Sequence, residues 1–260
     1  MAGGRAGRVT HFILTHGAWH DAWCWAPLIH VLEDRGQTAT AVQLPSDEVG
    51  QGAEAYAAAI AAAVQPTGSV VVGHSLAGLA IPLVPALAPV NGLIFLAALL
   101  PELGTSWRDQ LKAGRPMAPW WYDNGLPRQL KDSDGRSLWP SDVAIDLFFH
   151  DCEPGMAAAS AVRLRPQAPT PVIEPTPLHE FPDVPTAYVM GRDDRAVSAD
   201  WVRATSTSRL GVEPTWIDGG HSPFLARPTT LAELFIHLAD LEFTSTQRKS
   251  SPKLSHRPGT

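Results

Sequence analysis

The chain has 260 residues, 45% hydrophobic and 18% charged, which is enough for one large core and typical of soluble globular proteins. Its formal net charge of −6 gives no electrostatic reason to bind nucleic acid or an anionic membrane. Two cysteines, Cys24 and Cys152, are too few for a disulfide framework, so a reducing, cytoplasmic setting is expected.

In chain order, residues 1–8 lack the apolar segment of a secretion signal and are expected to be a flexible N-terminus. Val9 to Leu14 reads as a strand ended by the turn His16-Gly17-Ala18. From Trp25 to Arg35 the apolar positions Trp25, Leu28, Ile29 and Leu32 recur at helical spacing, with Gly36 as a stop. Thr38 to Leu44 is a second strand and Ala53 to Val64 an alanine-rich helix. A third strand, Ser69 to Val72, is followed by a predicted helix from Leu76 towards Leu87, and Gly92 to Leu96 is a fourth strand. Strands alternating with helices at this pace predict a mostly parallel central sheet, with near-continuous apolar strands covered by helices on both faces. No apolar run is long enough to span a bilayer, so no membrane association is expected.

The rhythm breaks over residues 101–181, a proline-rich stretch holding Trp107, Trp120, Trp121, Tyr122, Trp139, Phe148 and Phe149. A structureless loop of this length is improbable in a compact domain. The stretch therefore reads as a helical cap insertion, with helices predicted at Asp142 to His150 and Ala157 to Leu164. The core comprises residues 9–100 and 182–243. Its second part holds strands at Thr186 to Met190 and Val212 to Ile217, and helices at Ala199 to Ser208 and Pro223 to Leu241. Residues 244–260 are polar and expected to be a disordered tail.

The chemistry-bearing stretch is Ser69-Val70-Val71-Val72-Gly73-His74-Ser75-Leu76-Ala77-Gly78. A buried strand, a sharp turn and a helix start would lift Ser75 out of the sheet as a nucleophile, with small flanking residues letting the backbones approach. Ala77 stands where the G-x-S-x-G pattern has glycine, and Gly78 comes one position later. A serine hydroxyl needs a base to take its proton and an acid to orient that base. In an open parallel sheet the reactive groups gather on loops leaving the carboxyl ends of strands. Three such loops carry Ser75, then Asp193 or Asp194, then His221 released by Gly219-Gly220. Asp194 is the chosen acid because it stands later in its turn; Asp193 is kept as the alternative. Acyl transfer also needs fixed N–H donors for the developing oxyanion, expected from Leu76 and Ala18. His16 and His20 are spaced like a metal pair, but a glycine-containing loop with no third ligand argues against one, and no metal or cofactor is expected.

The segments His16 to Trp25, Gly73 to Gly78, Phe95 to Ala98, Asp194 to Val197 and Gly219 to His221 resemble the α/β-hydrolases of the plant methylesterase and hydroxynitrile lyase group and their bacterial esterase relatives. The resemblance runs from Val9 to about Leu241. It implies an α/β-hydrolase fold, a triad of Ser75, Asp194 and His221, and an oxyanion hole from Ala18 and Leu76. It also implies a small-molecule apolar ester substrate. Gly17, Trp19, His74, Trp120, Trp121 and Phe149 are expected to line its pocket. The lyase branch has a threonine beside the first turn and a lysine directly after the histidine; here those positions hold Gly17 and Ser222, which favours ester hydrolysis. A lyase, cyclase or acyltransferase using the same triad is the alternative, and a non-enzymatic ligand receptor a more distant one.

Overall fold

A computed structural model of the chain describes residues 9–249. The strands are β1 (His11–Thr15), β2 (Thr38–Val42), β3 (Ser69–His74), β4 (Val90–Leu96), the short β5 (Leu130–Lys131) and β6 (Ser137–Leu138), β7 (Thr186–Gly191) and β8 (Thr215–Ile217). Six of them form a central sheet in the order β2-β1-β3-β4-β7-β8, and every pairing in it is parallel. All six residues of β3 are buried, as its β-branched run predicts for a central strand covered on both sides.

The register shows which elements cover each face. Phe12, Val70 and Gly92 are paired neighbours and therefore share one face. There the helix α9 (Pro228–Lys249) stacks Phe235 on Phe12, with ring centroids 6.0 Å apart. On the same face, α1 (Ala26–Asp34) packs against both α9 and α8 (Pro223–Ala226). Gly73 and Phe95 point to the opposite face, where Ile81 lies against Gly73 so closely that an added Cβ would stand 2.7 Å from its Cγ2. On that side α2 (Ala53–Ala61) packs on a 3-10 segment, Ile81–Ala86.

The helix expected from Leu76 to Leu87 is instead two 3-10 segments, Ser75–Leu79 and Ile81–Ala86. Pro82 and Pro85 have no N–H to donate, so a continuous α-helical ladder cannot form through them. Between β4 and β7 the chain forms α3 (Trp107–Ala113), a π-turn at Trp121–Gly125, the β5–β6 hairpin, α4 (Ser141–Phe148), α5 (Pro154–Ala161) and α6 (Thr170–Ile173), followed by α7 (Ala199–Thr205) after β7. At the other end, α9 continues to Lys249, so the first six residues of the expected tail are helical. Residues 250–260 of that tail, and the N-terminus expected to be flexible over 1–8, lie outside the described residues. Among the described residues, no helix is long and apolar enough to cross a membrane.

Besides His221, three histidines are buried at the carboxyl end of the sheet: His16, His20 and His74. Their hydrogen bonds fit neutral rings. His16 Nδ1 lies 2.9 Å from the Gly17 carbonyl while Nε2 accepts from Leu44 N–H at 3.1 Å. His20 Nδ1 lies 2.9 Å from the Ala18 carbonyl. His74 Nε2 lies 3.0 Å from the His221 carbonyl. Burial, the largest cause in each case, pulls the imidazole of His16 down to about 4, that of His20 to about 3, and that of His74 well below its ordinary value.

This arrangement sets a sign for acid stability. In the unfolded chain these imidazoles take up protons near their ordinary 6.5, whereas in the folded chain they resist until much lower pH. Between those limits the unfolded state holds more protons, so stability is full above 6.5 and is lost as pH falls, by about 1.4 kcal/mol per pH unit for each histidine. Calorimetric unfolding from pH 7 to 4.5 should show this decline. His20→Phe keeps a ring against Phe148, Phe149 and Phe224 and should make the slope shallower by about one proton.

Candidate active site

Ser75 directly follows β3 and is held at φ +51°, a left-handed backbone conformation that costs a non-glycine residue about 1–3 kcal/mol. Its surroundings fix the turn. The Ser75 carbonyl accepts from Leu99 N–H at 2.9 Å. A Cβ on Gly17 would lie 2.7 Å from Ser75 Cβ, and one on Gly78 would lie 2.3 Å from the Leu99 carbonyl oxygen. Ala77 is fully buried with its methyl accommodated. In this turn the close approaches fall at Gly73, against the Ile81 side chain, and at Gly78, against the Leu99 backbone, so alanine at position 77 meets neither.

The expected acid and base stand just after β7 and β8. Asp194 Oδ1 accepts from the N–H groups of Ala196 at 2.7 Å and Val197 at 2.9 Å, which orients the carboxylate. Its Oδ2 lies 2.8 Å from His221 Nδ1, and both side chains are 1% exposed. With Nδ1 donating to this carboxylate, the arrangement can use Nε2 as a base. Asp193 is exposed and uses its backbone N–H on the Gly219 carbonyl. Gly191 allows the two loops to meet, since a Cβ there would fall 2.4 Å from the carbonyl oxygens of Gly219 and Gly220.

The insertion reaches this loop as well. Asp151, between α4 and α5, accepts from Gly220 N–H at 2.9 Å and also pairs with Arg227. A Cβ on Gly220 would lie 2.5 Å from His150 Cε1, and one on Gly219 would lie 2.4 Å from Asp151 Oδ2. The two glycines before His221 therefore make room for the His150 and Asp151 side chains, which lie directly on the backbone.

Ala18 and Leu76, the expected oxyanion donors, line one cavity together with Ser75. Leu76 stands in the first turn of its 3-10 segment, where an N–H has no intrahelical acceptor. After Ala18, Trp19 adopts φ +64°. The strain is balanced by contacts with the insertion: the Trp19 indole N–H reaches Ser137 at 3.0 and 3.1 Å, and its carbonyl accepts from Arg165 N–H at 2.7 Å. The cavity has a volume of about 400 Å³ and is walled mainly by Trp19, Trp107, Leu111, Met117, Trp121 and Val172.

Of the residues expected to line the pocket, Trp19 and Trp121 do so, whereas Gly17, His74, Trp120 and Phe149 do not. Gly17 is a spacer behind Ser75. His74 is wholly buried behind the elbow, its ring centroid 4.6 Å from that of His221. Phe149 is wholly buried against His20, with centroids 5.5 Å apart. Trp120 faces a separate depression with Asp123, Asn124 and Val143, because the π-turn that begins after it carries Trp121 inward instead. Sequence reasoning missed Asp151 and the α3 contribution to the cavity. For α3 a signal existed: Ser106 caps the helix by accepting from Asp109 N–H at 3.1 Å, and its hydroxyl donates back to the Asp109 carboxylate at 2.6 Å, the serine-x-x-acid pattern of a helix start. Among the described residues, no cluster of three or more histidine, cysteine or acidic side chains could hold a metal ion.

The chain is 24% identical over 257 residues to methylesterase 2 of Arabidopsis thaliana, covering 90% of this chain and 97% of that protein. It is 26% identical over 268 residues to a pyrethroid hydrolase of Sphingobium wenxiniae, covering 94% and 93%. The crystal structure of a pyrethroid hydrolase from Sphingobium faniae superimposes with a TM-score of 0.72 at 24% identity, over 90% of this chain and 98% of that one. The family model described as "alpha/beta hydrolase family" matches residues 12–234, and the chain belongs to that family.

Proposed function

We propose that this protein is a serine esterase that cleaves small to medium apolar esters, methyl esters and lactones included, through an acyl-enzyme on Ser75. The observation that carries the reading is the 2.8 Å contact between Asp194 Oδ2 and His221 Nδ1, placed on the loops that flank a strained serine at the mouth of a strand. In the first half-reaction His221 Nε2 takes the Ser75 proton as the hydroxyl oxygen attacks the ester carbonyl. The N–H groups of Ala18 and Leu76 stabilise the oxyanion. The tetrahedral intermediate collapses to the acyl-enzyme, and His221 passes its proton to the departing alcohol or alkoxide oxygen. Water, activated by the same imidazole, then releases the acid and restores Ser75. The apolar walls of the cavity suit an apolar ester, and the names methylesterase and pyrethroid hydrolase among the relatives agree with hydrolysis. A free small-molecule substrate requires no nucleic acid or membrane partner.

Turnover of para-nitrophenyl acetate tests the reading. Ser75→Ala should lower kcat by about 10⁴-fold or more, and Asp194→Asn by roughly 10³–10⁴-fold, because the amide favours the wrong tautomer of His221. A Ser75→Ala protein with undiminished activity would overturn the proposal.

Asp151 offers a separate check on how the base is held. Asp151→Ala removes the acceptor for Gly220 N–H and leaves Arg227 without its carboxylate, a loss of about 2 kcal/mol in stability. Steady-state kinetics should show kcat down by about tenfold with KM little changed, since Asp151 acts on the His221 loop and does not line the cavity. An unchanged kcat would mean the loop is held without this contact.

A further inference from the structure

The cavity next to Ser75 carries an unusual charge. The chain has a net charge of −6, yet no aspartate or glutamate lines this cavity, while Arg108 and Lys131 do. Among the described residues, these are the only arginine and lysine with a described side chain that lack an ion-pair, hydrogen-bond or ring partner. Nearby acids are engaged elsewhere. Asp109 accepts from Ser106 at 2.6 Å and pairs with Lys112 at 3.6 Å. Asp132 and Asp134 both pair with Arg136, at 2.7 and 3.2 Å. Arg108 also stands second in α3, within the N-terminal turn, where the helix dipole disfavours a cation. Neither position is explained by local structure, and both residues are exposed while lining the same cavity.

We infer that the preferred substrate is an amphiphilic ester bearing an anionic group, a carboxylate or a group of like charge, at the end remote from the scissile bond. This rests on the esterase reading of Ser75. The apolar body of the substrate fills the space between Trp107, Met117 and Trp121, and its anion remains at the mouth between Arg108 and Lys131. The two cations draw the anion to the opening, and guanidinium can bind a carboxylate bidentately. A half-ester of a dicarboxylic acid is the simplest molecule of this class. Its hydrolysis consumes one water and yields a diacid and an alcohol.

Two matched ester series test the inference by kcat/KM: mono-para-nitrophenyl suberate against para-nitrophenyl octanoate, with the anion on the acyl side, and para-carboxyphenyl butyrate against phenyl butyrate, with it on the alcohol side. The wild type should favour the anionic member of one series by about tenfold at low salt, and about 0.5 M NaCl should shrink that ratio. Arg108→Gln and Lys131→Gln should each reduce the ratio by about threefold, and the double variant should abolish it. In parallel, calorimetry on Ser75→Ala should show monomethyl suberate binding about tenfold more tightly than dimethyl suberate. Equal or better handling of the neutral member in both series, or a preference that survives in the double variant, would overturn the inference while leaving the esterase reading in place. Absence of any ester turnover, together with selective binding of monomethyl suberate to Ser75→Ala, would overturn the esterase reading and still support recognition of the anion.

Discussion

The hydrogen bond between Asp194 and His221 sets the demands that the rest of the fold meets. A carboxylate closed to solvent is tolerable only when donors replace its lost water, and Asp194 receives the Ala196 and Val197 N–H groups on one oxygen and His221 on the other. Those donors lie on two loops from neighbouring strands, so the pair exists only while both loops keep their geometry. The segment between β4 and β7 supplies the restraint. Ala118 N–H donates to the Ala196 carbonyl and Ser198 N–H to that of Pro116, which fixes the acid loop. Asp151 holds the base loop through Gly220, and Arg165 and Ser137 hold the turn containing Ala18 through Trp19. The insertion is thus both the roof of the cavity and the clamp on the three loops that surround Ser75.

That double role explains how much of the molecule could be read from the sequence. The strands and the order of Ser75, Asp194 and His221 were legible because each depends on a local pattern: an apolar run ended by small residues. Within the insertion only α4 and α5 were legible, overlapping the helices expected at Asp142 to His150 and Ala157 to Leu164, because its other elements are too short to carry a period. The β5–β6 hairpin has two residues per strand, α6 has four residues, and each is fixed by contacts with distant parts of the chain. Trp120 and Trp121 are indistinguishable as letters, and only the π-turn decides which one faces the cavity. Phe149 and His74 stand next to His150 and Ser75 in the sequence. The structure instead packs them behind the site, where rings fill the space between the elbow and the His221 loop. The helix expected after Ser75 failed for a reason visible in the sequence, the two prolines at 82 and 85.

The buried histidines show the energetic cost of this architecture. His16 and His20 brace the Gly17–Ala18 turn through ring contacts with its carbonyls, His16 also joins it to the Leu44 N–H, and His74 bonds the carbonyl of His221 itself. All three serve in the neutral form, so the site is organised for near-neutral pH and loses stability as the pH falls below the ordinary imidazole range. The recognition layer is separate. The apolar walls and the two unpaired cations come mainly from the insertion and the Trp19 turn, and Trp19 and Ser137 belong both to the cavity wall and to the clamp on the Ala18 turn.

Covalent trapping gives the most direct test of the central claim that Ser75 is a nucleophile activated by His221 and Asp194. A serine-directed fluorophosphonate, followed by intact-mass measurement and peptide mapping, should add one label to the wild-type chain, on Ser75, and react far more slowly with Asp194→Asn. Ser75 left unmodified after prolonged exposure of the folded protein would contradict the account.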